Sequence, residues 1–204
     1  MRPLYEERGL ATVLYAIAIV AWLGSEALIA TRVAVSRARS GPGVAGGDRR
    51  QDRLSGPALI FGVFLAISLA RLASDESRFA ISFARPEWFG LAFALALAGI
   101  ALRLYSVWTL GSFFDLRVRT TAGQSVVNKG PYRLVRHPSY TGALLTVLGV
   151  LLMWTNWLSL ACFVFALPGF AYRIKVEEEA LAGSLGEPYR EYMRSTKRLI
   201  PYVL

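Results

Sequence analysis

Cysteine and histidine are almost missing from this chain: its 204 residues include one of each, Cys162 and His137. A single cysteine forms no intrachain disulfide and no cysteine-based zinc cluster, and a single histidine excludes a two-histidine metal site. No metal site is expected. Charge is scarce as well. Charged residues make up 18% of the chain and apolar ones 54%, with a mean hydropathy of +0.42, whereas soluble chains carry about 25% charge. That balance excludes disorder and argues against an ordinary soluble enzyme, and the length allows one domain or two small ones. A phosphate loop of the Gly-x4-Gly-Lys-Ser/Thr type is absent. Gly41, Gly43 and Gly46 have the letters of a dinucleotide fingerprint. That fingerprint needs a strand before it and a helix start after it. Here an apolar run and an Arg/Ser stretch precede it, and Asp48-Arg49-Arg50 follows, so it reads as a flexible loop.

What the chain has in place of these is long apolar runs. Residues 10–31 are apolar apart from Glu26 and the terminal polar positions; at 1.5 Å per residue they reach about 33 Å, enough for a hydrocarbon core of about 30 Å. The run is too long for a signal peptide and lacks its cleavage pattern, so an uncleaved span is expected. Residues 54–70 and 88–110 are further candidates, the latter interrupted by Arg103. Residues 140–172 carry no charge. One helix of that length would measure about 50 Å, too long for one crossing. Thr155-Asn156, between Trp154 and Trp157, suits a hairpin tip at the membrane interface. The fold class predicted is all-α, a polytopic membrane helix bundle of about five spans. Its last two form a C-terminal hairpin of two slightly short halves.

The excess of nine positive charges suits nucleic acid or an anionic membrane surface until its distribution is considered. Six, five and six basic residues fall in residues 32–53, 111–138 and 173–204; residues 1–9, 71–87 and the hairpin tip hold two, three and none. Five spans therefore collect seventeen on one side and five on the other. The positive-inside bias puts the C-terminus in the cytoplasm and the N-terminus outside. No nucleic-acid reading motif accompanies the charge.

Polar density rises after Gly111. The run from Gln124 to Tyr132 leads into Arg136-His137-Pro138-Ser139-Tyr140-Thr141-Gly142. Pro138 disfavours helical backbone at His137 and itself suits the first helical position. Free N–H groups at that helix start could bind a carboxylate or phosphate; an interfacial anchor with an idle histidine fits the same local pattern. A second cluster follows the hairpin, with Arg173, Glu177 and Glu178. Arg173 and Glu177, four apart, share a helix face, and a solvated charged helix explains them equally well. Tyr189 and Tyr192 suit packing.

Taken together the two clusters resemble the integral-membrane isoprenylcysteine carboxyl methyltransferase family, including its prokaryotic relatives. The resemblance rests on Gly130, Tyr132, Arg136-His137-Pro138-Ser139-Tyr140 and Gly142, then Glu177-Glu178, Leu181, Gly186, Tyr189, Tyr192 and Pro201, in order and with the family's spacing. The Arg-His-Pro-x-Tyr-x-Gly motif also occurs in membrane phospholipid methyltransferases and in sterol-type reductases. The double glutamate and the tyrosines that follow favour the first family. Leu185 departs from it, since members often have an aromatic there. The resemblance covers residues 111–204, expected to be a methyltransferase core; residues 1–110 are expected to supply three membrane helices and an Arg/Gly-rich loop.

The resemblance implies S-adenosylmethionine as methyl donor and a cytoplasmic C-terminal cofactor site. The family's cofactor contacts fall on Gln124, Ser125, Val126, Val127, Tyr132, His137, Pro138, Ser139, Tyr140 and Glu177, and its acceptor contact on Arg173. Arg103 is a second acceptor candidate, since an ionisable residue within a span usually faces an interior cavity, although it could also snorkel to the interface. Glu177 near lipid needs a partner, either Arg173 or a bound cation. The expected chemistry is methyl transfer to a lipid or prenyl-type small-molecule acceptor that enters from the bilayer, with a carboxylate as the methylated group. An amine-headgroup methyltransferase and an NADPH-dependent reductase are the alternatives.

Overall fold

The computed structural model describes residues 9–40, 49–116 and 125–201. The fingerprint-like glycines of residues 41–46 and the candidate Gln124 lie outside them. Among the described residues seven α-helices follow in order: α1 (Gly9–Ser40), α2 (Arg49–Ala73), α3 (Arg85–Leu110), α4 (Pro138–Leu152), α5 (Trp157–Ala161), α6 (Leu167–Leu185) and α7 (Glu187–Ser195). Among the described residues no strand forms; two isolated bridges, Ala80 with Asn156 and Val135 with Lys197, are the only β pairing. The fold is an all-α membrane bundle. Among the described residues four helical stretches are apolar and long enough to cross a bilayer: Gly9–Ser36, Arg53–Ala73, Arg85–Phe113 and Trp157–Leu185. The last runs from α5 through a 3-10 turn into α6.

The hairpin is asymmetric. Its first arm, α4, has 15 residues and rises only about 22 Å. Its second arm does not stop near Tyr172 but continues to Leu185. Nothing in the intervening sequence breaks a helix until Gly186, whose φ of +66° closes α6 and whose N–H returns to Ala182 O. The turn falls at residues 153–156 and is packed within the protein: Trp154, Thr155 and Asn156 are at most 2% exposed. The reason is a docked loop. Ile81 N donates to Thr155 O at 2.8 Å, and Asn156 Nδ2 donates to Glu76 O at 3.1 Å. Asn156 also caps α5, its Oδ1 accepting from Leu158 N and Ser159 N. Trp157 alone of the two tryptophans is substantially exposed.

Small residues set the helix spacing. α3 packs along α4, α2 along α6, and α1 along α3. A Cβ built on Gly142 would lie 2.6 Å from Gly99 O and 2.7 Å from Arg103 N; one on Gly149 would lie 2.6 Å from Ala96 N. Such contacts let backbones approach where lipid offers no hydrophobic driving force between helices. The close approach brings Arg103 against the first turn of α4. At the opposite end of the bundle, Ala11, Ala18, Phe89, Leu152 and Met153 form an apolar core with Ile81.

Gly149→Ala is expected to lower stability by about 1–3 kcal/mol through overpacking. Gly90→Ala, on the same helix pair but with nothing within 4 Å of the added carbon, should be neutral or slightly stabilising. Thermal unfolding of the two purified variants in one detergent checks the contrast.

Candidate active site

Residues 130–137 approach α4 through a short 3-10 turn, Gly130–Arg133. Gly130 takes φ +55°, and a Cβ there would lie 3.0 Å from the Tyr105 hydroxyl, so the turn needs glycine. It buries Tyr132, whose carbonyl accepts from Tyr192 Oη at 2.6 Å. His137 then has φ −124° and ψ 56°, outside the helical region, and Pro138 opens α4, as the proline requires. The chain after α7 straps across this start. Arg136 N donates to Lys197 O at 2.7 Å, His137 N to Arg198 O at 3.0 Å, and Thr141 Oγ1 to Leu199 O at 2.8 Å.

Beneath the strap sits Glu178, 3% exposed. Its carboxylate accepts from Arg136 Nε at 3.0 Å and from Arg198 Nη2 at 2.8 Å, and lies 3.2 Å from His137 Nε2. Arg136 also donates to Met193 O at 2.9 Å and to the Thr196 carbonyl. A carboxylate so buried is tolerable only because cations and hydrogen bonds surround it.

Glu177, the neighbouring residue, faces another way. It lines a cavity of about 430 Å³ between the strap end of the bundle and its apolar interior. Tyr140 Oη donates to Glu177 Oε2 at 2.6 Å and accepts from Arg173 Nε at 3.2 Å. Arg173 and Glu177 are therefore joined through the tyrosine rather than paired directly as their spacing suggests. Among the described residues no Lys, Arg or His forms an ion pair with Glu177. The Arg173 guanidinium is buried and also donates to Ser55 Oγ and to Leu116 O, each at 2.7 Å. On the facing wall, Arg103 meets Glu26 by two hydrogen bonds, Nε to Oε1 at 2.5 Å and Nη2 to Oε2 at 2.8 Å. Its Nη1 reaches Ser139 Oγ at 3.0 Å. Arg103 is thus held inside the bundle; it does not snorkel.

The cavity gathers Arg103, Ser125, Val126, Val127, Tyr132, His137, Ser139, Tyr140, Arg173 and Glu177. Of the remaining candidates, Pro138 is buried in the helix start and does not line it. Glu26, Arg103, Arg136, Asp115, Arg173 and Glu177 give the wall three charges of each sign, while Leu59, Ile60, Leu110 and Phe113 make its other side apolar. Burial holds the hydroxyls of Tyr132 and Tyr189 well above their usual range and that of Tyr192 at about 12. All three are therefore protonated phenols at neutral pH, suited to donating and stacking rather than to accepting a proton. The sequence motifs include Arg136 and Glu178 but give them no site role, and Glu26, Ser55 and Arg198 are not among the site residues expected from sequence. Glu26 carried a usable signal, a lone carboxylate in an apolar run. Ser55 carried none.

Residues 91–183 match the profile of the isoprenylcysteine carboxyl methyltransferase family. A probable protein-S-isoprenylcysteine O-methyltransferase of Oryza sativa subsp. indica is 29% identical over 144 residues, 68% of this chain and 75% of the rice protein. A protein-S-isoprenylcysteine O-methyltransferase of Saccharomyces cerevisiae is 31% identical over 146 residues, 70% of this chain and 61% of the yeast protein. The solved structure of the eukaryotic intramembrane Ras methyltransferase shares the fold, with a TM-score of 0.54 at 24% identity over 67% of this chain and 52% of that one.

The chain thus resembles the isoprenylcysteine carboxyl methyltransferase family, whose profile matches a little under half of it.

Its apolar membrane-length helices make it a multi-pass membrane protein, and the relatives it is similar to are named as methyltransferases. It spans between half and three quarters of the relatives just described. The segment matched by the family profile begins within α3 and ends within α6. It holds His137, Tyr140, Arg173, Glu177 and Glu178, but leaves out Glu26, Ser55, α7 and the strap.

Adjacent glutamates of α6 are expected to behave differently. Glu178→Ala strands the buried Arg136 and should cost about 3–5 kcal/mol. Glu179, on the exposed side of the helix and 3.9 Å from Lys175, should cost under about 1 kcal/mol when changed to Ala. Denaturant unfolding in micelles separates the two.

Proposed function

We propose that this protein transfers a methyl group from S-adenosylmethionine to the carboxylate of a membrane-borne, prenyl-type acceptor, giving a methyl ester. The observation that carries the reading is the chain Arg173–Tyr140–Glu177 on the wall of a cavity that is charged on one side and apolar on the other.

The residues present fit the cofactor chemically. Glu177 is a cavity-lining carboxylate that, among the described residues, accepts a hydroxyl and pairs with no cation, so it suits a cationic ligand group. Tyr132 and Tyr140 offer aromatic faces to an adenine or a sulfonium. Ser139 at the start of α4, with His137 beside it, suits the cofactor's carboxylate, and Ser125, Val126 and Val127 form the adjoining wall. When bound, S-adenosylmethionine supplies an electrophilic methyl group. No general base is needed, because a carboxylate acceptor is already ionised at neutral pH.

The protein's task is then placement. Arg173 is preorganised by Ser55 and by the Leu116 carbonyl, and it orients and partly neutralises the acceptor carboxylate. The apolar side of the cavity, with Leu59 and Ile60 of α2, takes the hydrocarbon part of the acceptor, which reaches it from the bilayer because a lipid chain crosses water at a large cost. Holding the acceptor in line within a site closed to water supplies the rate. Residues 111–204 act as the cofactor-binding core and residues 1–110 as the membrane part. The basic segments at the site end face the cytoplasm, with the N-terminus outside.

Incubation of purified protein with methyl-labelled S-adenosylmethionine and an S-prenylcysteine analogue is expected to give a labelled product whose label is released by mild base, as an ester requires. Base-stable label on a headgroup amine would overturn the acceptor assignment. Arg173→Ala should reduce turnover at least 100-fold while cofactor affinity stays within about fivefold. Glu177→Ala should show the reverse order, with cofactor binding lost first, which calorimetry reads directly.

A further inference from the structure

The first helix of the bundle reaches the proposed cofactor cradle. Glu26 of α1 lies outside the family-matched segment, yet its carboxylate holds both Nε and Nη2 of Arg103, at 2.5 and 2.8 Å. A planar guanidinium gripped by two parallel bonds has its remaining edge fixed in direction. Here that edge carries Nη1, which meets Ser139 Oγ at 3.0 Å and its carbonyl at 3.5 Å. Ser139 is the second residue of α4 and is followed by Tyr140, which carries the bond to Glu177. Three helices distant in sequence thus converge on one turn. The side chain of Arg103 is 12% exposed, and Gly142 lets α3 approach α4 closely enough for its guanidinium to reach that turn.

We infer that Glu26 is a positioning residue: acting through Arg103, it sets the first turn of α4 in the geometry that binds the methyl donor. Two alternatives follow from the same contacts. Arg103 could instead serve the acceptor directly, as an ionisable residue in a span often does. The pair could also be structural only, tying α1 to α3. The geometry favours positioning, because most of the N–H groups of Arg103 are directed to Glu26 and Ser139 rather than into the cavity. A purely structural tie would not need the third contact at the helix start.

The inference rests on the functional reading above, and cofactor affinity distinguishes their failures. Calorimetry with S-adenosylmethionine on the full chain in detergent compares wild type, Glu26→Ala, Arg103→Ala, their double variant, and the apolar pair Glu26→Leu with Arg103→Met. The apolar pair avoids stranding a charge and keeps the helices packed, so it remains folded if Glu26→Ala does not; thermal unfolding verifies this. Positioning predicts about a tenfold weaker Kd for Glu26→Ala and for the apolar pair. It also predicts less than a twofold further loss when Glu26→Ala is added to Arg103→Ala, since Glu26 acts only through that residue. A folded apolar pair that binds within twofold of wild type overturns the positioning role and leaves the methyltransferase reading intact. Wild type that binds no S-adenosylmethionine overturns both.

Discussion

Ionised side chains inside a bundle of apolar helices have to be accompanied by their counter-charges, because the desolvation cost of each is several kcal/mol. This protein meets the constraint at both sides of one helix start. Glu178 gathers Arg136, His137 and Arg198 beneath the C-terminal strap. Glu26 holds Arg103 on the side of the first helix. Between these two networks runs the first turn of α4, and its position follows from them. Removing either carboxylate would leave a largely buried arginine, Arg136 or Arg103, without its counter-charge, so the networks specify one arrangement of the helices as well as stabilising it.

Close packing supports this arrangement. Gly99, Gly142 and Gly149 bring α3 and α4 together until backbone meets backbone. At its start α4 meets Arg103, which Glu26 holds from the first helix. The strap and α7 then close the site from outside the bundle, through backbone bonds to Arg136 and His137 and through the Tyr192 hydroxyl. The cavity left between is charged where Arg103, Arg173 and Glu177 line it and apolar where α2 lines it. A single pocket can accept a water-soluble donor and a lipid-borne acceptor only if its walls are divided in this way.

The family profile covers the part of the chain that carries the Arg136-His137-Pro138 and Glu177-Glu178 clusters. The helices before it are joined to the site by side chains the family profile does not cover. Ser55 orients Arg173 and Glu26 orients Arg103. The division between membrane part and core is thus one of sequence similarity, whereas the polar contacts run across it.

Much was legible in the sequence because hydrophobic runs and backbone chemistry are local properties. The apolar stretches placed the membrane helices, Pro138 marked the start of α4, and Thr155-Asn156 marked the hairpin turn. The polar residues near His137 and Glu177, apart in sequence, line one cavity at the same end of the bundle. Pairings are not local, and only the tertiary structure decided them. Spacing four apart suggested that Arg173 pairs with Glu177, but Tyr140 stands between them. The second hairpin arm ran past its apolar limit because Gly186, not the first charge, ends the helix. Of two adjacent glutamates, one became a buried counter-ion and the other lined the cavity. Their side chains leave the helix about 100° apart, and what each meets there depends on which helix the fold brings to that side.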